Sequence, residues 1–201
     1  SEGASVSITP ADVFDSGSDN CGSVQLLSVV PNTFTCQNIG ANSVTLTAHD
    51  GHGNTNTCSA TVTVVDMRPP LTVVYVDDGY VGLTNGTIVK FPYLGIGADH
   101  VIGCDAFTNI QGGIAAVNVG GTVNVAAGTY TENVSIAKSV ILMGAQSGVD
   151  ARGRSASESI VIPAVTGTAT FTVSFNGLLT IDGFSFSGGT ALGVIQTTVG
   201  P

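Results

Sequence analysis

Residues 121–144 read GTVNVAAGTYTENVSIAKSVILMG, a series of short apolar runs separated by glycine, asparagine and threonine. Similar runs recur at residues 160–162, 171–173, 179–181 and 184–186. The main runs start roughly every twenty residues, with turn residues between them, which is typical of a solenoid whose turns of chain stack on one another. The pattern predicts a parallel, strand-built solenoid over residues 73–201.

One amphipathic helix is predicted ahead of this stretch. Its apolar residues are spaced by three, four and three positions and so share one helical face; they are Phe107, Ile110, Ile114 and Val117. Gly120-Gly121 follows and is expected to end the helix, because glycine readily adopts the left-handed backbone found at helix ends. Val73–Val76 reads as an apolar strand, and the residues between it and Gly103 read as turn-rich.

Several segments of residues 71–201 carry a family resemblance. They are Ala106-Phe107-Thr108-x-Ile110-Gln111, Gly121-Thr122-Val123-x-Val125-x-Ala127-Gly128-Thr129-Tyr130-x-Glu132-Asn133-Val134, Ile141-Leu142-Met143-Gly144 and Thr180-Ile181-Asp182-Gly183-Phe184-Ser185-Phe186. They are similar to the start of a right-handed parallel β-helix of the pectin-lyase-like superfamily. The resemblance implies that the predicted helix caps the N-terminal end of the solenoid.

The first 66 residues show a different pattern. From Ser43 to Ala48 and from Ala60 to Val64, apolar and polar residues alternate strictly, as in strands with one buried face. Residues 49–54 between them are rich in Asp, Gly and Asn, which is typical of a hairpin connection. We expect a small β-sandwich over residues 1–66 and a proline-containing linker over residues 67–72.

This N-terminal part also resembles a known family. The segments are Asp19-Asn20-Cys21-Gly22, Phe34-Thr35-Cys36, Ile39-Gly40, Val44-Thr45-Leu46-Thr47-Ala48-x-Asp50-x-x-Gly53-Asn54 and Cys58-Ser59-Ala60-Thr61-Val62-Thr63-Val64. They look like the hyalin-repeat (HYR) immunoglobulin-like module of large bacterial surface proteins. The family has a further strand ahead of residues 5–10, which the resemblance implies is missing or abbreviated here.

The four cysteines favour an oxidising, extracellular compartment and at least one disulfide, since they lack the spacing of a zinc site. The hyalin-repeat resemblance implies a bond between Cys21 and Cys36. The alternative is a bond between Cys21 and Cys58. A separate bond from Cys58 to Cys104 would clamp the two domains together.

Composition excludes two classes of partner. With 14 acidic and 5 basic residues the formal charge is −9, and nucleic-acid binding needs clustered Lys and Arg. A membrane span is excluded because no apolar run approaches the ~18–20 residues required. Only 9% of the residues are charged, so we expect a surface of Ser, Thr, Asn and Gly, as in solenoids and secreted β proteins.

Acidic loops are the candidate metal sites. The sequence requires no cofactor, but short carboxylate side chains suit Ca²⁺. Those in turn-rich segments are Asp12, Asp15, Asp19, Asp77 and Asp78. Their spacing is not that of an EF-hand, and solvated acids or helix caps are the alternative interpretation.

Other polar groups give weaker signals. Asp150, Arg152 and Arg154 form a candidate ligand loop, or else a solvated loop with an Asp–Arg pair. Asn85 and Asn133 fit the glycosylation pattern. Gly128-x-Tyr130-x-Glu132 resembles a segment near the start of pectinesterases, but the catalytic aspartates of that family are absent, so we expect these residues to shape a corner. No catalytic constellation is found, and we predict that the chain is not an enzyme.

Together these features predict an extracellular, structural or adhesive module of a large bacterial surface protein or filament. Self-association, head-to-tail or by strand donation, is expected because the chain reads as starting inside a sandwich and stopping within a solenoid. The alternative is the N-terminal part of a lyase-like, esterase-like or carbohydrate-binding β-helix protein that acts on extracellular polysaccharide.

Overall fold

The computed structural model describes residues 5–18, 23–65, 70–188 and 195–197. The chain divides into two compact units, residues 3–68 and 69–201, and this boundary falls inside the predicted linker 67–72. Strands far outnumber helices in both units. The protein is therefore all-β, as the sequence predicts.

The first unit contains two antiparallel sheets. Its elements are β1 (Val6–Ser7), α1 (Pro10–Val13), β2 (Gln25–Val30), β3 (Thr33–Phe34), a 3-10 turn (Cys36–Asn38), β4 (Gly40–His49) and β5 (Thr55–Val64). β1 pairs with β3, while β4 lies between β2 and β5 in a three-stranded sheet. The predicted strands at 43–48 and 60–64 and the hairpin between them are thus confirmed.

A small core holds the first unit together. Val29, Phe34 and Val44 are buried in one cluster, and Ile8, Val13 and residues of β5 pack against it in part. Along β4, Val44 and Leu46 are buried while the flanking Ser43 and Thr45 are exposed. This alternation follows from the period of two, which sends successive side chains to opposite faces.

The second unit is built on parallel sheets. Its elements are β6 (Val73–Val76), a 3-10 turn (Asp78–Tyr80), β7 (Ile88–Lys90), β8 (Asp99–Val101), β9 (Ala106–Phe107), α2 (Ile110–Ala116), β10 (Thr122–Val125), β11 (Gly128–Thr131), β12 (Val134–Ile136), β13 (Val140–Met143), a 3-10 turn (Ala151–Gly153), β14 (Ser159–Ile162), β15 (Phe171–Val173), β16 (Leu179–Asp182), β17 (Phe184–Phe186) and β18 (Ile195–Thr197).

Three parallel sheets take one strand from each turn of chain. Their orders are β16-β13-β10-β6-β9, β11-β14-β17 and β12-β15-β18. In the first sheet the register places Val123 between Val74 and Leu142, and all three side chains are buried. Because parallel pairing sets residues of the same face side by side, the apolar positions of successive turns stack into one continuous core.

The turns of chain are less regular than the predicted spacing of twenty residues. Val123 pairs with Leu142, but Leu142 pairs with Ile181, about twice as far along the chain. β14 pairs with β11 and β17 and is not part of the β10–β13–β16 sheet. Residues 144–158 and 163–170 lie outside the strands and lengthen that turn, and nothing in the apolar spacing signals them.

The predicted helix is shorter than the sequence suggests. Phe107 belongs to β9, and α2 runs from Ile110 to Ala116, with Val117 as its C-terminal cap residue. Ile110, Ile114 and Val117 are buried as expected. Gly113 permits close contact between the helix and the sheet, since a Cβ atom there would lie 2.7 Å from Cγ2 of Val76.

A hairpin occupies part of the stretch predicted to be turns. β7 and β8 pair antiparallel, with Val89 opposite His100. The intervening residues 91–98 contain a cis peptide bond before Pro92 and a left-handed residue, Leu94, with φ of +62°. The sequence did not predict this hairpin, because the glycine and proline residues of its loop are typical of turns.

Candidate functional surfaces

The predicted calcium ligands of the first unit act as local caps or lie apart. One carboxylate oxygen of Asp12 accepts hydrogen bonds from the amide and the hydroxyl of Thr9, at 2.7 and 2.8 Å. These bonds lower the pKa of Asp12 below its ordinary value, and the bond from the backbone amide of Thr9 has the largest effect. Asp15 is exposed, and Asp19 lies outside the described residues.

Asp77 and Asp78 hold the backbone of the second unit. Asp77 is 4% exposed, and its two oxygens accept hydrogen bonds from the amides of Gly79 and Tyr93, each at 2.8 Å. Asp78 accepts a bond from the amide of Thr129 at 2.9 Å. Across residues 5–18, 23–65, 70–188 and 195–197, no group of three or more His, Cys, Asp or Glu side chains could hold a metal ion.

The candidate ligand loop separates into two parts. Asp150 and Arg152 form an exposed pair at 3.0 Å, which lowers the pKa of Asp150 and raises that of Arg152. Arg154 is 13% exposed at its side chain and donates instead to the carbonyl of Phe184 at 2.9 Å. The three residues therefore do not converge on one point.

Arg154 belongs to a polar network that fastens residues 144–158 to β16 and β17. Its guanidinium lies 3.8 Å from Glu158 and 3.9 Å from Asp182. Asp182 accepts hydrogen bonds from the hydroxyl of Ser147 and the amide of Gly148, both at 2.8 Å. These bonds lower the pKa of Asp182, and the bond from Ser147 has the largest effect. The network thus joins residues 144–158 to β16 and β17 through Arg154 and Asp182.

Asn133, a predicted glycosylation site, has a structural role that the sequence did not predict. Its side-chain amide donates to the hydroxyl of Thr168 at 2.7 Å and to the carbonyl of Ala169 at 2.8 Å. Its carbonyl oxygen accepts from the amide of Val165 at 3.0 Å. A sugar on this nitrogen would replace one of its two hydrogens and so remove one of the two donated bonds. Asn85, in contrast, lies exposed in a turn.

The predicted corner role of Tyr130 and Glu132 agrees with their contacts. Tyr130 donates its hydroxyl to the carbonyl of Ala126 at 3.0 Å, and burial, with Asp77 and Asp78 nearby, raises the pKa of that hydroxyl well above its usual range. The two oxygens of Glu132 accept hydrogen bonds from the amides of Ile110 and Gln111 at the start of α2.

The cysteines do not follow the alternative pairings. Cys58 is a free, exposed thiol, so the structure pairs it with neither Cys21 nor Cys104. Cys36 and Cys104 are each disulfide-bonded. Cys21, a member of the preferred pairing, lies outside the described residues.

A buried polar pair that joins β8 to the turn after it was not predicted. His100 Nδ1 lies 2.8 Å from Asp105 Oδ2, and the other oxygen of Asp105 accepts a bond from the amide of Val101 at 2.7 Å. The ring of Tyr75 packs on His100 with centroids 3.8 Å apart. Sequence reasoning missed this pair because both residues fall in a stretch that showed no periodicity.

The loop of this hairpin presents apolar side chains to solvent. Leu94 is 83% exposed and Ile96 is fully exposed, and we call these two residues the apolar tip. Its base is fixed, because the amide of Tyr93 donates to the buried Asp77 and the ring of Tyr93 packs edge-on against Tyr80. The apolar tip is therefore exposed on a loop whose base is anchored.

The first unit carries a groove of about 470 Å³, which we call the sandwich groove. Its floor is formed by strand residues of β4 and β5, and its wall by residues 13–18 with Val24. The apolar lining residues are Val13, Phe14, Val24, Leu46, Ala48, Cys58 and Ala60. Asp15, His49 and Asp50 add a polar rim.

Comparisons with known proteins gave no match. No family model matches it, no curated protein matches it, and no solved structure matches it. Among the helices of the described ranges, none has the length and apolar character needed to cross a membrane. The fold and the surfaces themselves must therefore support the function.

Proposed function

We propose that this chain is an extracellular structural and adhesive module of a large bacterial surface protein or filament, and that it is not an enzyme. The first unit serves as an immunoglobulin-like spacer of the hyalin-repeat kind. The second is the start of a right-handed parallel β-helix, with α2 as its cap. The resemblances and the three sheets of parallel strands support this interpretation of the fold.

One observation carries the proposal: the polar side chains that looked most like a site are engaged in holding the backbone together. Asp77, Asp78, Glu132 and Asn133 bind backbone amides or carbonyls, and Arg154 binds a carbonyl. A catalytic site needs groups aimed at a substrate, with hydrogen-bonding capacity left for it. The disulfide-bonded cysteines support an extracellular location, because cytosolic thiols are kept reduced.

The test measures catalytic activity and resistance to proteolysis side by side. Purified protein is incubated with neutral and acidic polysaccharides, and reducing ends and unsaturated products are measured. In parallel, it is digested with thermolysin under native conditions. We expect no turnover and a resistant fragment that contains β6 to β17, since stacked strands open rarely.

Turnover of any polysaccharide would overturn the proposal in favour of the lyase-like or esterase-like alternative. A variant with Arg154→Met, which removes the guanidinium from the 144–158 network, then shows whether that network takes part. Rapid digestion of the second unit would contradict the structural role even without turnover.

A further inference from the structure

We propose that Asn176 is a site of spontaneous deamidation, in which the backbone amide of Gly177 displaces the side-chain amide and a carboxylate replaces it. The inference goes beyond the proposed function and does not depend on it. It rests on a comparison of the two Asn-Gly steps in the chain, Asn85-Gly86 and Asn176-Gly177. The structure places these two steps in opposite surroundings.

The reaction needs water as its only co-reactant. The amide nitrogen of Gly177 bonds to Cγ of Asn176 and closes a five-membered ring, while the bond from Cγ to Nδ2 breaks. Ammonia leaves with the proton of the attacking amide. Water then opens the ring at one of its two carbonyl carbons, which gives either aspartate or isoaspartate. The attack is intramolecular and therefore favoured by proximity, and glycine has no Cβ atom to hinder it.

Asn176 and Gly177 are free to react. Both residues are exposed, and they lie in a bend between β15 and β16. In the part of the chain that the structure describes, neither the side chain of Asn176 nor the amide of Gly177 takes part in a hydrogen bond. The attacking nitrogen thus has no hydrogen bond to break before it reacts.

Asn85 carries the same step in a closed turn. The amide of Gly86 donates to the carbonyl of Ile102 at 2.9 Å. The amide of Thr87 donates to the carbonyl of Thr84 at 3.1 Å, and the hydroxyls of these two threonines lie 3.2 Å apart. This turn has to open before the amide of Gly86 can attack, so the structure protects Asn85.

Packing between turns of the solenoid requires the glycine at position 177. A Cβ atom there would lie 2.5 Å from Oγ of Ser139 and 2.8 Å from Cε2 of Phe175. The same Oγ accepts a hydrogen bond from the amide of Leu178 at 3.1 Å, so its position is already used. The exposed Asn176 is therefore the residue of the pair to replace in a test.

The first test compares the two asparagines within one protein. Folded wild type is incubated in mildly alkaline buffer, and mass spectrometry of its peptides follows each site. We expect Asn176 to convert about fivefold faster than Asn85 or more, since breaking one hydrogen bond lowers the reactive population by about that factor. In concentrated urea, which opens the turn around Asn85, the two rates should become similar.

The second test uses variants. Each deamidation adds one negative charge, so anion-exchange chromatography separates the product from the starting protein. We expect Asn176→Gln to lose the acidic product, because its longer side chain does not close the five-membered ring. Asn85→Gln is the matched control and should form the product at the wild-type rate. Circular dichroism confirms that both variants are folded.

Three results would overturn the inference. The first is conversion of Asn85 as fast as that of Asn176 in the folded protein. The second is conversion of Asn176 in urea alone, and the third is an acidic product that persists in Asn176→Gln. Polysaccharide turnover and protease resistance are measured separately, so failure here is distinguishable from failure of the proposed function.

Discussion

Two backbone segments approach each other closely at Gly183, in the corner between β16 and β17. A Cβ atom there would lie 2.2 Å from the amide nitrogen of Ser147 and 2.6 Å from its Cα, and φ is +80°. Such distances cannot be relieved by rotation of a side chain. The corner therefore depends on glycine for both space and backbone conformation.

At this position we predict that Gly183→Ala lowers the free energy of unfolding by about 3 kcal/mol, as overpacking and the left-handed backbone add together. Gly167→Ala is the matched control, because φ is +89° but a Cβ atom would have no neighbour within 4 Å. It should cost only about 1–2 kcal/mol. Urea denaturation measures both, and equal losses would contradict the close approach.

Asp182 should make stability depend on pH. Hydrogen bonds from Ser147 and Gly148 lower its pKa in the folded chain. The stabilisation is therefore fully present above the ordinary aspartate value of about 3.9 and is lost as the pH falls through the lower folded pKa. We expect wild type and Asp182→Asn to differ in urea midpoint near pH 7 and to converge as the pH falls through the lowered folded pKa of Asp182. A constant difference would show that the carboxylate charge has no part.

At the scale of elements, α2 is held by groups outside its own sequence. Glu132 binds the amides of Ile110 and Gln111 at 2.8 and 3.0 Å, and Asn109 binds that of Gly112 at 2.7 Å. At the other end, the ammonium group of Lys138 donates to the carbonyls of Ala115 and Val117. A helix of seven residues is too short to persist alone, so these contacts and its buried face maintain it.

We predict that Glu132→Ala destabilises the second unit by about 2 kcal/mol, because two partly buried hydrogen bonds to helix amides lose their charged acceptor. The exposed neighbour Thr131 provides the control, and Thr131→Ala should change stability by less than about 0.5 kcal/mol. Thermolysin digestion monitored by mass spectrometry should show earlier cleavage near α2 in the first variant alone. Equal behaviour of the two variants would place the capping role elsewhere.

Elements with a clear period could be predicted, and those set by long-range contacts could not. The runs at 123–125, 134–136 and 171–173 are strands because alternation on a stacked core fixes them locally. Phe107 fits the helical spacing, yet it lies in β9, since pairing with β6 decides its conformation. The sequence identified the candidate site residues as polar. It could not show that they bind amides far away in the chain, because those contacts depend on the fold.

At the scale of the whole molecule, we predict that EDTA leaves the melting midpoint unchanged. The candidate calcium ligands Asp12, Asp77 and Asp78 already accept hydrogen bonds, and the described part of the chain holds no group of three acidic, His or Cys side chains that could bind a metal ion. Differential scanning calorimetry tests this prediction at two chosen conditions, 1 mM EDTA and 1 mM CaCl₂. A higher midpoint in calcium would restore the calcium proposal and direct attention to Asp15 and Asp19.

The order of strands in the largest sheet has a consequence for synthesis. β6 takes its register from β10, which lies well beyond it in sequence and pairs along its whole length, whereas β9 covers only Tyr75 and Val76. A nascent chain thus exposes one edge of Val73–Val76 until residues 122–125 have emerged. During that interval the growing polypeptide presents an apolar edge to other chains, and we expect a holding chaperone to bind this segment.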